Sequence, residues 1–445
     1  MPKSTSQIAI VVESETVLEN SIALLNSLQQ NSQLQISFIW IPGNPRNSPI
    51  STIKSKITQI SHPYPISIVN SNEELVNAPL DAIAYIPHHA NPNPTLPKLP
   101  STSEPWIVPW LPSLDFPPET AIAKSPQPLA WIADATWFRR RFANADIANA
   151  DIPTLYRLAE DFPELAWYGG TSATPQPDNF PDKLRVCAIV PHLGCEPWLF
   201  QCLHSLVHQT RPLDEVVVVD DASPTPPVEI VSQFPAVKLL RSPKRVGPYR
   251  LVQQVIEETD ADAYLFQDAD DFSTRDRLAT LLYLMYNHNA DLVGTQELRI
   301  MESQKTVIPV CYPLDVNLAL AEKPGHPLIH PSSLLRRDLV MQLGGFATGL
   351  KFGGDTEFLL RANFLARIVN TSSFLYCRRK RPNSLTTTPE TGLDSPARTQ
   401  LLQQLKFRAR QNLHAKQNGE ILDLTPLSVA PRLTLFTALS SPKSN

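Results

Sequence analysis

Asp268, Asp270 and Asp271 stand within four positions of one another in F-Q-D-A-D-D, directly after the apolar run Ala263, Tyr264, Leu265, Phe266. A run of β-forming residues ending in such a cluster reads as a buried strand emptying into a polar site. Three negative charges there are costly unless a cation or a dense set of donors neutralises them. An N-cap for the helix expected over 275–286 would explain a single carboxylate, not three. A calcium EF-hand is excluded by spacing, because Ser273 stands where that loop needs glycine and Ala279 where it needs the bidentate glutamate. A divalent-metal site of hard oxygen ligands remains, suited to Mg2+ or Mn2+ holding phosphates.

Two other acidic sites fall at expected strand ends or loops. Asp220 and Asp221 close the strand expected over 215–219, and Asp355 with Glu357 lies where the glycine-led run 352–367 becomes helical. Ligands of open α/β sheets gather at the carboxyl ends of the strands, so the three sites can share one crevice. The first can accept a hydrogen bond from a base or ribose, the second can hold a metal on a diphosphate, and the third can take a proton from an attacking hydroxyl. Metal, diphosphate and general base together suit displacement of a nucleoside diphosphate.

These residues need a scaffold, and the chain supplies two of similar pattern. With 445 residues it is long enough for two or three domains, each with a sizeable core. Strands expected at 8–12, 34–41, 66–69 and 82–86, with a helix at 16–30, mark an N-terminal α/β domain over 1–170. A polar, proline-containing linker over 171–183 follows. A second α/β domain over 184–390 has strands at 185–190, 215–219 and 263–266 and helices at 198–208, 249–258 and 275–286. An amphipathic helix (397–417) and a poorly patterned tail make up 391–445. The halves also resemble each other: Leu25-Asn26-Ser27-Leu28 matches Leu203-His204-Ser205-Leu206 at an offset of 178 (205 − 27), and Asp81-Ala82 matches Asp262-Ala263. A-T-W-F-R-R from Ala135 resembles S-S-L-L-R-R from Ser332, and the run from Asp151 to Arg157 resembles that from Asp355 to Arg361. In the N-terminal copy Pro42 and Gly43 replace Asp220 and Asp221, and Pro87 and His89 replace Asp268 and Asp270, so that copy is expected to be structural or partner-binding, without a metal.

Composition narrows the class. A hydrophobic content of 42%, a charged content of 18% and a net charge of −4 describe a globular protein with no basic surface for nucleic acid. No window approaches 18 apolar residues and the N-terminus lacks a signal-peptide pattern, so a cytoplasmic protein without a membrane span is expected, with peripheral membrane association left open. Its 5 cysteines lack zinc-type pairing and read as reduced, buried thiols.

The second half resembles the family 2 glycosyltransferases, inverting enzymes of the GT-A fold. The resemblance spans 184–388 and rests on ordered motifs: V-C-A-I-V-P, L-H-S-L-V-H-Q-T, V-V-V-V-D-D-A-S, L-F-Q-D-A-D-D, S-S-L-L-R-R followed by G-G-F, G-G-D-T-E-F-L-L-R, and Y-C-R-R-K-R-P-N-S-L. It implies that Asp221, with Asp220 and the Pro191-His192 loop, contacts the nucleotide. Asp270 is then the main metal ligand, with Asp268 touching the nucleotide or the metal shell, and Asp355 is the catalytic base. Arg245 and Arg250 lie where the family places a phosphate-binding arginine, though a solvated basic stretch reads equally well. Glu357 and Arg361 are assigned to the acceptor side. The implied partners are a nucleoside-diphosphate sugar (UDP or dTDP, since Asp221 suits the N3–H of uracil or thymine) and a glycan, lipid-linked or protein acceptor.

The chain departs from the family at His192-Leu193-Gly194, where Thr-Tyr-Asn is usual, at R-V-G-P-Y-R-L-V-Q (245–253), at Gly354, where glutamate is common, and at Arg381, where some relatives carry histidine. The Q-x-x-R-W motif of processive synthases is absent, which favours transfer of a single sugar. His326 and His330 flank an apolar pair and read as packing residues, and His88-His89 lacks supporting carboxylates. A non-catalytic nucleotide-sugar or glycan-binding protein is the alternative on the same fold. A nucleotidyltransferase is disfavoured, because 191–197 holds one glycine and no lysine or arginine.

Overall fold

The computed structural model describes residues 6–11, 34–40, 67–69, 80–85, 100, 102–110, 122–124, 129–142, 154–169 and 184–437 except 383. The helix expected at 16–30, the linker at 171–183 and the positions of Pro42, Gly43, Pro87, His88 and His89 lie outside the described residues. The chain forms two compact units. One comprises Met1–Phe116, Ser125–Ala173 and Lys305–Ile308, the other Pro117–Lys124, Thr174–Gln304 and Pro309–Asn445.

In the second unit, β1 (Val186–His192), β2 (Glu215–Asp220), β3 (Val237–Arg241) and β4 (Ala263–Phe266) form a parallel sheet in the order β3-β2-β1-β4. Their sequences are nearly unbroken apolar runs because both faces are covered. Alternate side chains point to opposite sides, so Cys187, Ile189, Val217, Val219, Tyr264 and Phe266 enter one core cluster. Val186, Ala188, Val190, Val216, Val218, Ala263 and Leu265 enter the other. Helices α1 (Glu196–Val207) and α2 (Pro248–Glu258) pack on these faces, each with proline in its first turn, where no amide partner is lost. The sheet continues through β5 (Phe272–Ser273), β6 (Leu292–Met301), β7 (Leu334–Arg336) and β8 (Ile368–Lys380), giving β5-β8-β6-β7-β4. Helices α3 (Arg277–Asn287), α4 (Arg337–Gln342), α5 (Gly354–Ala362) and α6 (Pro396–Gln417) complete the layers.

Residues 391–437 are part of this core. Leu405 and Ala409 of α6 and Leu433 of the following segment are buried in the cluster that contains β1, and Leu424, Leu427 and Leu435 pack against it. The long strand β8 has no counterpart in the expected elements. Asn370, Thr371 and Ser373 interrupt its apolar pattern, yet all three are buried, with Asn370 Nδ2 donating to the Pro313 carbonyl, the Thr371 carbonyl accepting from Gln296 and the Ser373 amide donating to the Thr371 hydroxyl.

Seven strands of the first unit lie in the order Ser67–Val69, Leu34–Trp40, Ser6–Val11, Ala82–Tyr85, Ala130–Asp134, Trp106–Trp110, Ala166–Trp167. Successive pairs are parallel, parallel, parallel, antiparallel, antiparallel, parallel. The run β3-β2-β1-β4-β7-β6-β8 has the same order and the same directions. Ala82 faces Ile8 as Ala263 faces Val186, so the first strands share the offset of 178 (186 − 8). The amide of Ala135 bonds the carbonyl of Asp81 at 3.2 Å as that of Arg337 bonds Asp262 at 2.9 Å. This equivalence corrects the motif match: A-T-W-F-R-R opens the helix Ala135–Phe142, whereas S-S-L-L-R-R runs through β7 and only its last residue, Arg337, opens α4, so Ala135 corresponds to Arg337.

Candidate active site

The parallel strands β1, β2 and β4 bring their carboxyl ends to one edge of the sheet, and the expected acidic residues follow there. Asp271 is deeply buried. Its Oδ1 accepts the amide of Arg379 at 2.6 Å and its Oδ2 accepts the Tyr376 hydroxyl at 2.8 Å. Burial, with Asp270 and Asp268 beside it, pushes its pKa well above the carboxylate range. Asp271 thus ties the cluster to β8. Asp268 is exposed and Asp270 partly so, and one carboxylate oxygen of each lies within 4.8 Å of the others and of Asp271. Two accessible hard oxygens that converge in this way fit a Mg2+ or Mn2+ ion that completes its shell with water and phosphate. Asp270 also accepts a hydrogen bond from Arg381 Nε at 2.6 Å.

Asp355 stands in the first turn of α5, where the preceding Gly353 adopts a left-handed φ of +74°. The Tyr249 hydroxyl, from α2, donates to Asp355 Oδ1 at 3.1 Å. His326 Nε2 lies 3.7 Å from Oδ2, and its Nδ1 is 3.1 Å from the Thr356 hydroxyl. Burial alone would raise the pKa of Asp355, but His326, His330, the Thr356 amide and the Tyr249 hydroxyl favour the ionised form and hold it below the usual range. Burial depresses both histidines, His330 to about 4. His330 packs between Phe266 at 4.2 Å and Phe346 at 5.5 Å, in keeping with a packing residue, whereas His326 reaches Asp355. The departure at Gly354 has a geometric cause, since a Cβ there would sit 2.7 Å from the Tyr249 ring. Asp268 feels the charges of Asp270, Arg378, Asp355 and Arg381, which brings Asp355 within electrostatic reach of the aspartate cluster.

The residues expected at the nucleotide are arranged differently. His192 is buried and its Nδ1 contacts Asp220 Oδ1 at 3.2 Å, so its side chain positions Asp220 and presents nothing to a ligand. Asp220 is fully buried and also binds the Ser223 amide at 3.1 Å and Arg241 at 3.3 Å. Burial would raise its pKa, but His192 and Ser223 outweigh that and lower it. Asp220 is therefore a loop anchor. Asp221 accepts the amides of Val246 at 2.7 Å and Gly247 at 2.9 Å, one on each oxygen, which leaves lone pairs free. Burial raises its pKa in spite of those amides and of Arg245, which is exposed. Pro191 sits half-buried in β1. Arg250 turns away, its guanidinium donating to the Pro431 carbonyl, and no hydrogen bond or ion pair among the described residues joins it to the carboxylates.

Glu357 and Arg361 are not acceptor-facing. Two residues after Asp355, Glu357 is rotated about 200° around the helix. It points into the core, where it pairs with Arg361 at 2.7 Å, with side-chain exposures of 1% and 3%. Arg361 also donates to the carbonyls of Leu343 and Gly345 at 2.7 and 2.8 Å, tying α5 to the glycine turn. Three contributors escaped the reading of the sequence: Tyr249, His326 and Arg378. Arg378 lies 4.0 Å from Glu297, which is fully buried and holds the Tyr312 hydroxyl at 2.7 Å. The run R-R-K-R after Tyr376-Cys377 was the available signal for this basic wall.

Residues 187–343 match the model of Glycosyl transferase family 2. The second unit thus contains a region similar to the family 2 glycosyltransferases, and it has the α/β architecture expected from that resemblance. Two Haemophilus influenzae proteins, each described as an uncharacterized glycosyltransferase, are 29% identical over 108 residues and 30% identical over 100. These alignments cover 23% and 22% of this chain and 43% and 38% of the relatives. The uncharacterized glycosyltransferase EpsJ of Bacillus subtilis is 25% identical over 228 residues, 46% of this chain and 63% of that protein. The chain therefore spans less than two thirds of each relative. Among solved structures, S. aureus TarS 1-349 in complex with UDP-GlcNAc is 21% identical with a TM-score of 0.39, covering 52% of this chain and 73% of that one. The mannosyltransferase PcManGT of Pyrobaculum calidifontis, in complex with GDP-Man and Mn2+, is 19% identical with a TM-score of 0.37, covering 46% and 59%. No helix among the described residues is long and apolar enough to cross a membrane.

Proposed function

We propose that the second unit transfers a single sugar, with inversion, from a nucleoside-diphosphate sugar to an acceptor hydroxyl. The observation that carries this reading is the placement of Asp355, partly exposed and held by Tyr249 and His326, in electrostatic reach of Asp268. In the proposed step the acceptor oxygen forms a bond to the anomeric carbon as the bond from that carbon to the diphosphate breaks. The hydroxyl proton passes to the Asp355 carboxylate, and the nucleoside diphosphate leaves with the electron pair. Asp268 and Asp270 would hold Mn2+ or Mg2+, which supplies charge neutralisation to the departing diphosphate. Asp221 would accept from the base, with UDP or dTDP as the favoured nucleotide, and Arg245 would face the phosphates. The first unit reads as a copy of the same fold without the carboxylate site, serving structure or partner binding, and the shared strand order supports this.

Calorimetric titration of UDP, dTDP and GDP, with and without Mn2+, on the wild type and Asp270→Ala tests the reading. Mn2+-dependent binding of one nucleotide, lost in the variant, is expected. A folded protein that binds none of them would sink the enzyme and leave a glycan-binding or scaffold role.

A further inference from the structure

Arg381 occupies the metal side of the cluster. Its Nε bonds Asp270 Oδ2 at 2.6 Å, its Nη2 lies 3.3 Å from Cys195 Sγ, and its guanidinium lies over the Trp198 ring at 4.7 Å. The pair is well shielded, with side-chain exposures of 13% for Arg381 and 16% for Asp270. A charge-assisted bond of this length in a partly desolvated place is among the stronger hydrogen bonds a protein makes. The residue on the remaining side offers no second anion, because burial pushes the Cys195 thiol up to about 12 and keeps it neutral.

We infer that Arg381 is the resident counter-ion of Asp270 and couples entry of the metal to entry of the diphosphate. This inference rests on the function proposed above. A divalent ion arriving alone must take Asp270 from the guanidinium that pairs with it at 2.6 Å, and the two cations repel at short range. A diphosphate arriving with the ion gives that guanidinium a bidentate partner, which its planar fork matches. Each ligand thus removes a cost that the other would meet alone, which is positive coupling between two sites, and the coupling is reciprocal. Asp270 stays paired until a donor is present, so the protein does not collect metal when idle.

The test titrates Mn2+ alone into the wild type, Arg381→Gln and Arg381→Lys, reading free Mn2+ by its paramagnetic resonance signal, and repeats each titration with UDP, dTDP or GDP saturating. In Arg381→Gln, Mn2+ alone should bind about tenfold tighter than in the wild type, and the gain from nucleotide should shrink by a similar factor. Arg381→Lys keeps the charge and should stay weak for Mn2+ alone, and thermal melting of all three proteins confirms that folded samples are compared. Equal Mn2+ affinity of the wild type and Arg381→Gln overturns the counter-ion role while leaving the metal site standing. Failure of the wild type to bind Mn2+ with any of the nucleotides overturns the metal site and this inference together.

Discussion

Replacing Gly354 with alanine tests whether Tyr249 is built against the backbone that carries the base. The added Cβ would lie 2.7 Å from Tyr249 Cδ2 and 2.8 Å from Cγ. Carbon atoms rest at about 3.5 Å, so the overlap is roughly 0.8 Å. It falls on the root of the ring, which cannot swing aside without moving α2. Overpacking of this kind costs about 1–3 kcal/mol. Gly354 is the first residue of α5, where the gain of alanine over glycine is smaller than the roughly 0.5–1 kcal/mol of a helix interior, so the net loss in the wild type should be up to about 2.5 kcal/mol. In a Tyr249→Ala background the clash is gone and the same change should stabilise by up to about 1 kcal/mol. The sign of the effect reverses between the backgrounds. Urea titration of the two single variants and the double variant gives the coupling directly, with no substrate required. If Gly354→Ala shifts the midpoint equally in both backgrounds, the explanation offered for this glycine is wrong. The single variant should also lose donor turnover, since displacing the ring takes the hydroxyl from Asp355.

Asp355→Asn should lower sugar transfer by about 10²–10⁴-fold while Mn2+-dependent nucleotide binding persists, as comparison of calorimetry with turnover will show. Tyr249→Phe removes a group that favours ionised Asp355, so the base's pKa rises. Because the ionised form works and is lost as pH falls through that pKa, the acid limb of the kcat profile should move to higher pH. An unmoved limb would mean that the hydroxyl does not tune the base. Arg361→Leu leaves Glu357 buried without its main partner and should cost about 3–5 kcal/mol in thermal or urea melts. The folded fraction at low temperature should still bind nucleotide, and loss of binding there would mean that Arg361 does more than hold the core.

The carboxylates of the site were legible because their chemistry is local. An apolar run that empties into three aspartates leaves few alternatives, and β4 and Asp268 to Asp271 stand as that pattern requires. Asp355 was legible through the glycines that lead into its helix. Glu357 and Arg361 were misplaced because, two and six residues after Asp355, α5 has turned roughly 200° and 240° away from it, toward the core. Tyr249 could not be found this way, since it meets Asp355 across 106 positions and carries no periodic signal of its own. The same holds for His192 and Asp220, where a pair read as ligand-facing is used inside the protein to fix a loop. The polar middle of β8 hid the strand that aligns Tyr376, Arg378 and Arg379 beside the cluster.

The core of the second unit has a consequence for the order in which the chain matures. The cluster that begins at Cys187 closes with Leu433, and Leu433 hands its amide to Gln254 on α2, at 2.9 Å. Leu427 does the same for Glu357 on α5, at 3.0 Å. During synthesis the helix bearing the base exists long before the residues that clamp it have left the ribosome. The second unit keeps an open seam until Leu427 and Leu433 have emerged, and in that interval its nascent form is exposed to proteases and chaperones.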